Sequence, residues 1–158
     1  MIEKAMLSND NDIVRGLGFV TLYGAYLEEQ IENLLRMLHP VQPFTEQLQR
    51  GMISAKIKTA KAIVERMEFE ARDELLECLN VVRDAFEWRN ELVHGRIYGG
   101  FDREDTLKSG RPNVPDRPVD AAELYELANR LDDLRSGIYR PMIIKIPRFL
   151  ANQKKPEQ

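Results

Sequence analysis

Apolar residues recur at alternating spacings of four and three along the first part of the chain. The recurring positions are Ile13, Leu17, Val20, Gly24, Leu27, Ile31, Leu34 and Leu38. Such a period predicts one long amphipathic helix that turns a single apolar stripe towards the core. Asn9 or Asp10 is expected to cap its start, and His39-Pro40 is expected to end it. Glycines in this helix predict close approach by another helix, from the same chain or from a dimer partner.

The same reasoning predicts more helices downstream. A short turn at 46–50 and a helix near 53–67 precede a third long helix over 71–94. The stripe of that third helix consists of Leu75, Leu79, Val82, Phe86 and Val93. Gly95 follows it directly, where a glycine is a natural C-terminal cap.

Residues 96–118 lack the helical period of the preceding segments, and glycines and prolines recur in this polar stretch. We expect a loop there with a short hairpin formed by 96–101 and 106–108. Asp120 and Glu123 then have capping-box spacing before a helix that carries apolar residues to Ile138. Pro141 is expected to break this helix, and 142–150 to form a short terminal one.

The pattern therefore predicts an all-α fold, an antiparallel bundle of four to five helices with a short β-hairpin in 96–110. One domain is expected over 1–158, with its core at about 10–140 and a basic C-terminal tail at 141–158. Six basic residues and no acidic one lie between Arg135 and Lys155. That segment is either an ordinary solvated terminus or a surface that meets a phosphate backbone.

Composition and charge exclude several classes of protein. Of 158 residues, 43% are hydrophobic and 31% charged, and no apolar run is long enough for a membrane helix. A single cysteine, Cys78, and the lack of a secretion-signal pattern favour a reducing cytoplasm. The net charge of −3 argues against a broad nucleic-acid clamp. Two histidines and one cysteine at unsuitable spacing predict no metal site, and no cofactor motif is present.

The candidate functional residues lie at the end of the third predicted helix. Asn90 and His94 are four residues apart and share a helix face. Arg89 stands on the inner stripe, where an apolar residue would continue the pattern. Because polar groups are expensive to bury without partners, an arginine there indicates a specific role.

Arg89-Asn90-Glu91-Leu92-Val93-His94 resembles the Arg-x4-6-His motif of the HEPN superfamily. The first helix, with Tyr26-Leu27-Glu28-Glu29, also looks like that family. The resemblance implies a helical homodimer whose two motifs face each other and form a metal-independent endoribonuclease. In that case His94 is the general acid or base, and Arg89 holds the scissile phosphate. Asn90 orients His94 or contacts the phosphate, and Glu28 or Glu32 supports the site by pairing with Arg89.

Trp88 and Arg96 flank the motif and are assigned to substrate binding, with a buried interface as the alternative for Trp88. A subgroup of HEPN toxins has tyrosine at the position of Arg96, so assignment to that subgroup is not favoured. The motif also resembles mannitol-operon-repressor-like proteins, which leaves open a non-catalytic regulatory or partner-binding module on the same fold. The partners considered are a second copy, RNA in a defence or stress response, and a protein encoded nearby; a membrane is not among them.

Overall fold

The computed structural model describes residues 12–100 and 103–153. Within these ranges there are five helices and one three-stranded antiparallel sheet, so the predicted all-α class with a short hairpin is confirmed. The helices are α1 (Ile13–Met37), α2 (Glu46–Gln49), α3 (Ile53–Val64), α4 (Arg72–His94) and α5 (Ala121–Gln153). The strands are β1 (Arg96–Gly100), β2 (Arg103–Lys108) and β3 (Arg117–Pro118).

The stripe predicted for α1 is confirmed from Val20 to Leu38, where every stripe position is buried. Asp12 caps the helix, because its side chain accepts a hydrogen bond of 3.0 Å from the backbone N–H of Arg15. The predicted caps Asn9 and Asp10 lie outside the described residues.

Two glycines of α1 accept close neighbours, as predicted. A Cβ at Gly16 would lie 2.9 Å from Leu124 Cβ of α5, and a Cβ at Gly24 would lie 3.2 Å from Arg89 Nε of α4. Gly18, in contrast, is exposed, and a Cβ added there would meet nothing within 4 Å. Helix contacts of this chain itself therefore account for two of the three glycines.

Helix α4 buries Leu75, Leu79, Val82 and Phe86 as expected. Its last fully buried residue is Leu92, whereas the predicted Val93 is only half-buried. Gly95 ends the helix without the left-handed conformation that a glycine cap usually adopts, since no described glycine has a positive φ. A Cβ there would lie 2.5 Å from Leu107 Cδ1 and 2.7 Å from the carbonyl oxygen of Glu91. Close packing is therefore the reason for glycine at this position.

The hairpin of β1 and β2 is confirmed, with Ile97 opposite Leu107 and a register shift between Tyr98 and Gly100. Strand β3 was not predicted, because two residues cannot show an alternating pattern. It adds to β2 with Arg117 opposite Leu107. The sheet thus directly follows the end of α4 and precedes α5.

The predicted break at Pro141 is wrong, because α5 continues through Pro141 and Pro147 to Gln153. Ile138, Met142 and Ile146 are buried at spacings of four, which keeps the helical period across both prolines. Burial of this stripe outweighs the local disruption that a proline causes in a helix. Of the expected basic tail, the part up to residue 153 is therefore helical, while Lys154 and Lys155 lie outside the described residues.

The chain clusters into two compact units. The first comprises 12–25, 84–100 and 103–132, and its buried residues include Val20, Leu92, Leu107, Leu124 and Leu131. The second comprises 26–83 and 133–153, and its buried residues include Leu27, Ile31, Ile57, Leu79 and Ile146. The single-domain assignment stays a prediction. None of the described helices has the length and apolarity needed to cross a membrane.

Candidate functional site

Arg89, Asn90 and His94 all lie in the last turns of α4, in the first unit. Gly95 follows, and Arg96 begins β1. The amphipathic period of α4 places Arg89 one turn beyond the buried Phe86 and three residues before the buried Leu92. The sequence therefore brings a guanidinium to the apolar face of a helix end.

The Arg89 side chain is half-buried, and its Nε lies against Gly24 of α1. That Nε is fully buried and has no hydrogen-bond partner in the described part of the chain. A terminal nitrogen of the same guanidinium donates to Asn90 Oδ1 at 3.0 Å. No carboxylate pairs with Arg89 among the described residues, where the guanidinium has the Asn90 amide oxygen as its hydrogen-bond partner.

Asn90 and His94 share a face of α4, and they differ in exposure. Asn90 is half-buried, and its side-chain oxygen accepts a hydrogen bond from Arg89. His94 is exposed to solvent. The exposed His94 imidazole can exchange a proton with a phosphate ester, and the Arg89 guanidinium can bind a phosphate. The two residues are five positions apart on α4, about 140° around the helix axis.

The two flanking residues have different surroundings. Arg96 is exposed at the first position of β1, opposite Lys108. Trp88 is half-buried, and its indole N–H donates to Glu123 Oε1 at 2.8 Å. The indole is therefore tied to the first turn of α5, and Arg96 is the more accessible of the two predicted substrate-binding residues.

An ion network beside the motif was missed by sequence reasoning. Arg117 of β3 donates through Nε to Glu91 Oε1 at 2.8 Å, and through its two terminal nitrogens to Glu123 at 2.9 and 2.6 Å. These bonds to Glu123 and Glu91 raise the pKa of the Arg117 guanidinium. Burial by itself raises the pKa of Glu123, but hydrogen bonds from Arg117 and Trp88 outweigh it, so the pKa is lowered.

Only part of that network had a sequence signal. The expected cap is present, since Asp120 Oδ1 accepts a hydrogen bond of 2.8 Å from the Glu123 backbone N–H. The Glu123 carboxylate binds Arg117 and Trp88, however, instead of completing the capping box. Arg117 stands in a polar stretch where nothing in the local pattern marks it.

The supporting role expected for Glu28 and Glu32 is corrected, because the two carboxylates have another partner. Both lie against Lys56 of α3 in the second unit, at 2.9 and 2.7 Å from its Nζ. Lys56 is only 3% exposed, so its charge requires these carboxylates. Burial alone lowers the pKa of Lys56, but the bonds to Glu32 and Glu28 outweigh it and raise the pKa.

A cavity of about 600 Å³ in the first unit has the wrong charge for a phosphate. Five of the residues that line it are acidic, namely Glu104, Asp105, Asp120, Glu123 and Glu126. Such a surface repels a polyanion, so the volume of this cavity does not identify the candidate site. Arg89 and His94 do not line it.

Comparison with family models, curated proteins and solved structures finds no match to this chain. Within the described ranges, no group of three or more histidine, cysteine, aspartate or glutamate side chains is placed to hold a metal ion. The candidate site therefore rests on the placement of Arg89, Asn90 and His94 at the end of α4.

Proposed function

We propose that the protein is a HEPN-type endoribonuclease that needs no metal ion and acts through Arg89, Asn90 and His94. The observation that carries this proposal is the Arg89 guanidinium, which lies half-buried at a helix end and contacts no carboxylate of the described residues. A structural arginine at such a position would ordinarily pair with an acid. An arginine that lacks one suits a ligand that brings its own negative charge.

Phosphate binding is the first step of the proposed reaction. The bond to Asn90 restricts the Arg89 fork, so fewer orientations are lost when a phosphodiester binds. The guanidinium then offsets the charge that develops on the phosphorane oxygens.

Proton transfer through His94 is the second step. One imidazole removes the proton from the ribose 2′-hydroxyl, whose oxygen attacks the phosphorus, and the bond to the 5′-oxygen breaks. A second imidazole protonates that leaving oxygen. The products are a 2′,3′-cyclic phosphate and a 5′-hydroxyl, and RNA itself supplies the nucleophile. The exposure of His94 allows both contact with RNA and proton exchange with water.

Two imidazoles near one phosphate require two copies of this chain, because His94 is the motif's single histidine. We therefore expect a homodimer at micromolar concentration, measured by light scattering after size-exclusion chromatography. A mass of one chain under the conditions in which RNA is cut would contradict the composite site.

The second candidate is a non-catalytic module that binds an anionic ligand or a protein partner through the same residues. The bond between Arg89 and Asn90 favours it, because two motif residues already satisfy part of each other's hydrogen bonding. Both candidates predict that Arg89 contacts the bound molecule. Only the endoribonuclease predicts RNA products with cyclic phosphate ends.

Arg89→Ala tests the proposed phosphate contact. We expect cleavage of a mixed-sequence single-stranded RNA, measured in EDTA, to fall by about 10²-fold or more, because transition-state charge loses its partner. Arg89→Lys should recover only part of the rate, since an ammonium lacks the planar fork. Arg130→Ala removes an exposed arginine of α5 in the same unit and should leave the rate unchanged. An equal loss of cleavage rate in Arg89→Ala and Arg130→Ala would mean that the net charge of the protein, rather than a specific contact of Arg89, determines the rate.

A further inference from the structure

Arg117 joins three elements of the first unit at one point. From β3, its guanidinium binds Glu91 in the last turns of α4 and Glu123 in the first turn of α5. Glu123 in turn accepts the indole N–H of Trp88. All of these bonds are 2.6–2.9 Å long, and their side chains are 19–35% exposed where they form ion pairs. Partly buried, bidentate geometry of this kind is stronger than an exposed pair.

The network binds α4 on the side of the helix away from Arg89. Trp88 and Glu91 are three residues apart, so they lie on one face of the helix. Arg89 is about 200° from Glu91 around the helix axis, at 100° per residue, and faces Gly24. Asn90 lies between these two faces, whereas His94, three residues after Glu91, is about 60° from Glu91 around the axis. Arg117 therefore binds the helix end on the side away from Arg89, one turn before His94.

The small sheet keeps Arg117 in place. Arg117 stands opposite Leu107 in the ladder, and Leu107 is buried against Gly95, directly after His94. Glu91 contributes twice, because its carboxylate binds Arg117 and its carbonyl accepts the Gly95 N–H at 3.0 Å. Glu91 thus stabilises the last turn of α4 through two bonds, one from its carboxylate to Arg117 and one from its backbone carbonyl to Gly95.

We propose that Arg117 is a positioning residue that fixes the end of α4, so that Arg89, Asn90 and His94 are presented in a single arrangement. Its effect on cleavage rests on the proposed endoribonuclease function. Its effect on the helix end does not. A looser helix end would move reacting groups relative to the phosphate, and displacements of about 1 Å lower rates by about 10²-fold.

Arg117→Gln and Glu91→Gln test this proposal, with Arg111→Gln as the control. Glu91→Gln weakens only the tie to α4 and leaves the pair of Arg117 with Glu123, so one variant stays informative if the other fails to fold. Arg111 is an exposed arginine of the same unit. Two readouts are measured on the full chain: amide hydrogen exchange in the last turn of α4, and kcat and KM for RNA cleavage.

We expect exchange at the Gly95 amide to accelerate about 10-fold or more in Arg117→Gln, because local opening becomes easier. We expect kcat to fall about 10- to 100-fold while KM changes by less than about threefold, since the groups that contact RNA remain. Arg117→Lys should recover part of kcat, and Arg111→Gln should match wild type in both readouts.

Unchanged exchange in both Arg117→Gln and Glu91→Gln would overturn the proposal, whatever the rates are. Faster exchange with unchanged kcat would also overturn it, because the held helix end would not matter to the site. If wild type does not cut RNA, the endoribonuclease function fails, and exchange alone then decides whether Arg117 fixes the helix end.

Discussion

Replacing His94 by alanine is expected to lower the rate of RNA cleavage by on the order of 10²–10⁴, the usual contribution of a positioned acid or base. The imidazole is exposed at the end of α4, so its removal leaves no buried polar group without a partner. The variant should therefore keep the stability and the oligomeric state of wild type. Initial rates on one single-stranded RNA, measured at several pH values, give the comparison.

The chain offers a matched control for this experiment, because His39 is its second histidine. His39 is exposed after α1, and its Nδ1 accepts a hydrogen bond of 3.1 Å from the Phe44 backbone N–H. His39→Ala should cut RNA at the wild-type rate. Equal cleavage by wild type and both variants would reveal a contaminating nuclease and remove the support for His94.

Replacing Phe86 by alanine should lower the free energy of unfolding by about 3–5 kcal/mol, the usual range for a buried phenylalanine. Phe86 is 4% exposed and lies one turn before Arg89 on the apolar stripe of α4. Its loss leaves a cavity in the unit that carries the candidate site. Denaturant-induced unfolding of purified wild type and variant gives the difference.

Glu87→Ala is the control for Phe86, because Glu87 is the next residue of α4 and is exposed. Its effect should stay within about 0.5 kcal/mol, as for most surface substitutions. A loss below about 1 kcal/mol in Phe86→Ala would mean that the stripe does not support the site as described.

Much of the fold could be predicted because burial repeats with the helical period. The stripe from Val20 to Leu38 and the stripe from Leu75 to Phe86 are examples, and both are buried. The continuation of α5 through Pro141 could not be predicted in this way. Local preference argues for a break, whereas the burial of Met142 and Ile146 depends on tertiary packing that no local pattern displays.

The candidate site was predictable only where it is local. Arg89, Asn90 and His94 lie within six residues of one helix, so their spacing alone places them at the same helix end. Arg117 meets Glu91 across 26 positions and Lys56 meets Glu28 across 28. Long-range ion pairs of this kind depend on the packing of separate elements, and any acidic residue of the chain is a candidate until the fold is known. Glu28 and Glu32 were accordingly assigned to the wrong cation.

The chemistry of the cut ends tests the endoribonuclease proposal most directly. One RNA with a mapped cleavage site and the same RNA carrying a single 2′-O-methyl group at that site are incubated with wild-type protein in EDTA. We predict a 2′,3′-cyclic phosphate and a 5′-hydroxyl from the unmodified RNA, and no cut at the methylated position, because the 2′-oxygen is the proposed nucleophile. Cleavage at the methylated position, ends with a 5′-phosphate and a 3′-hydroxyl, or no cleavage of several mixed-sequence RNAs would contradict the proposal.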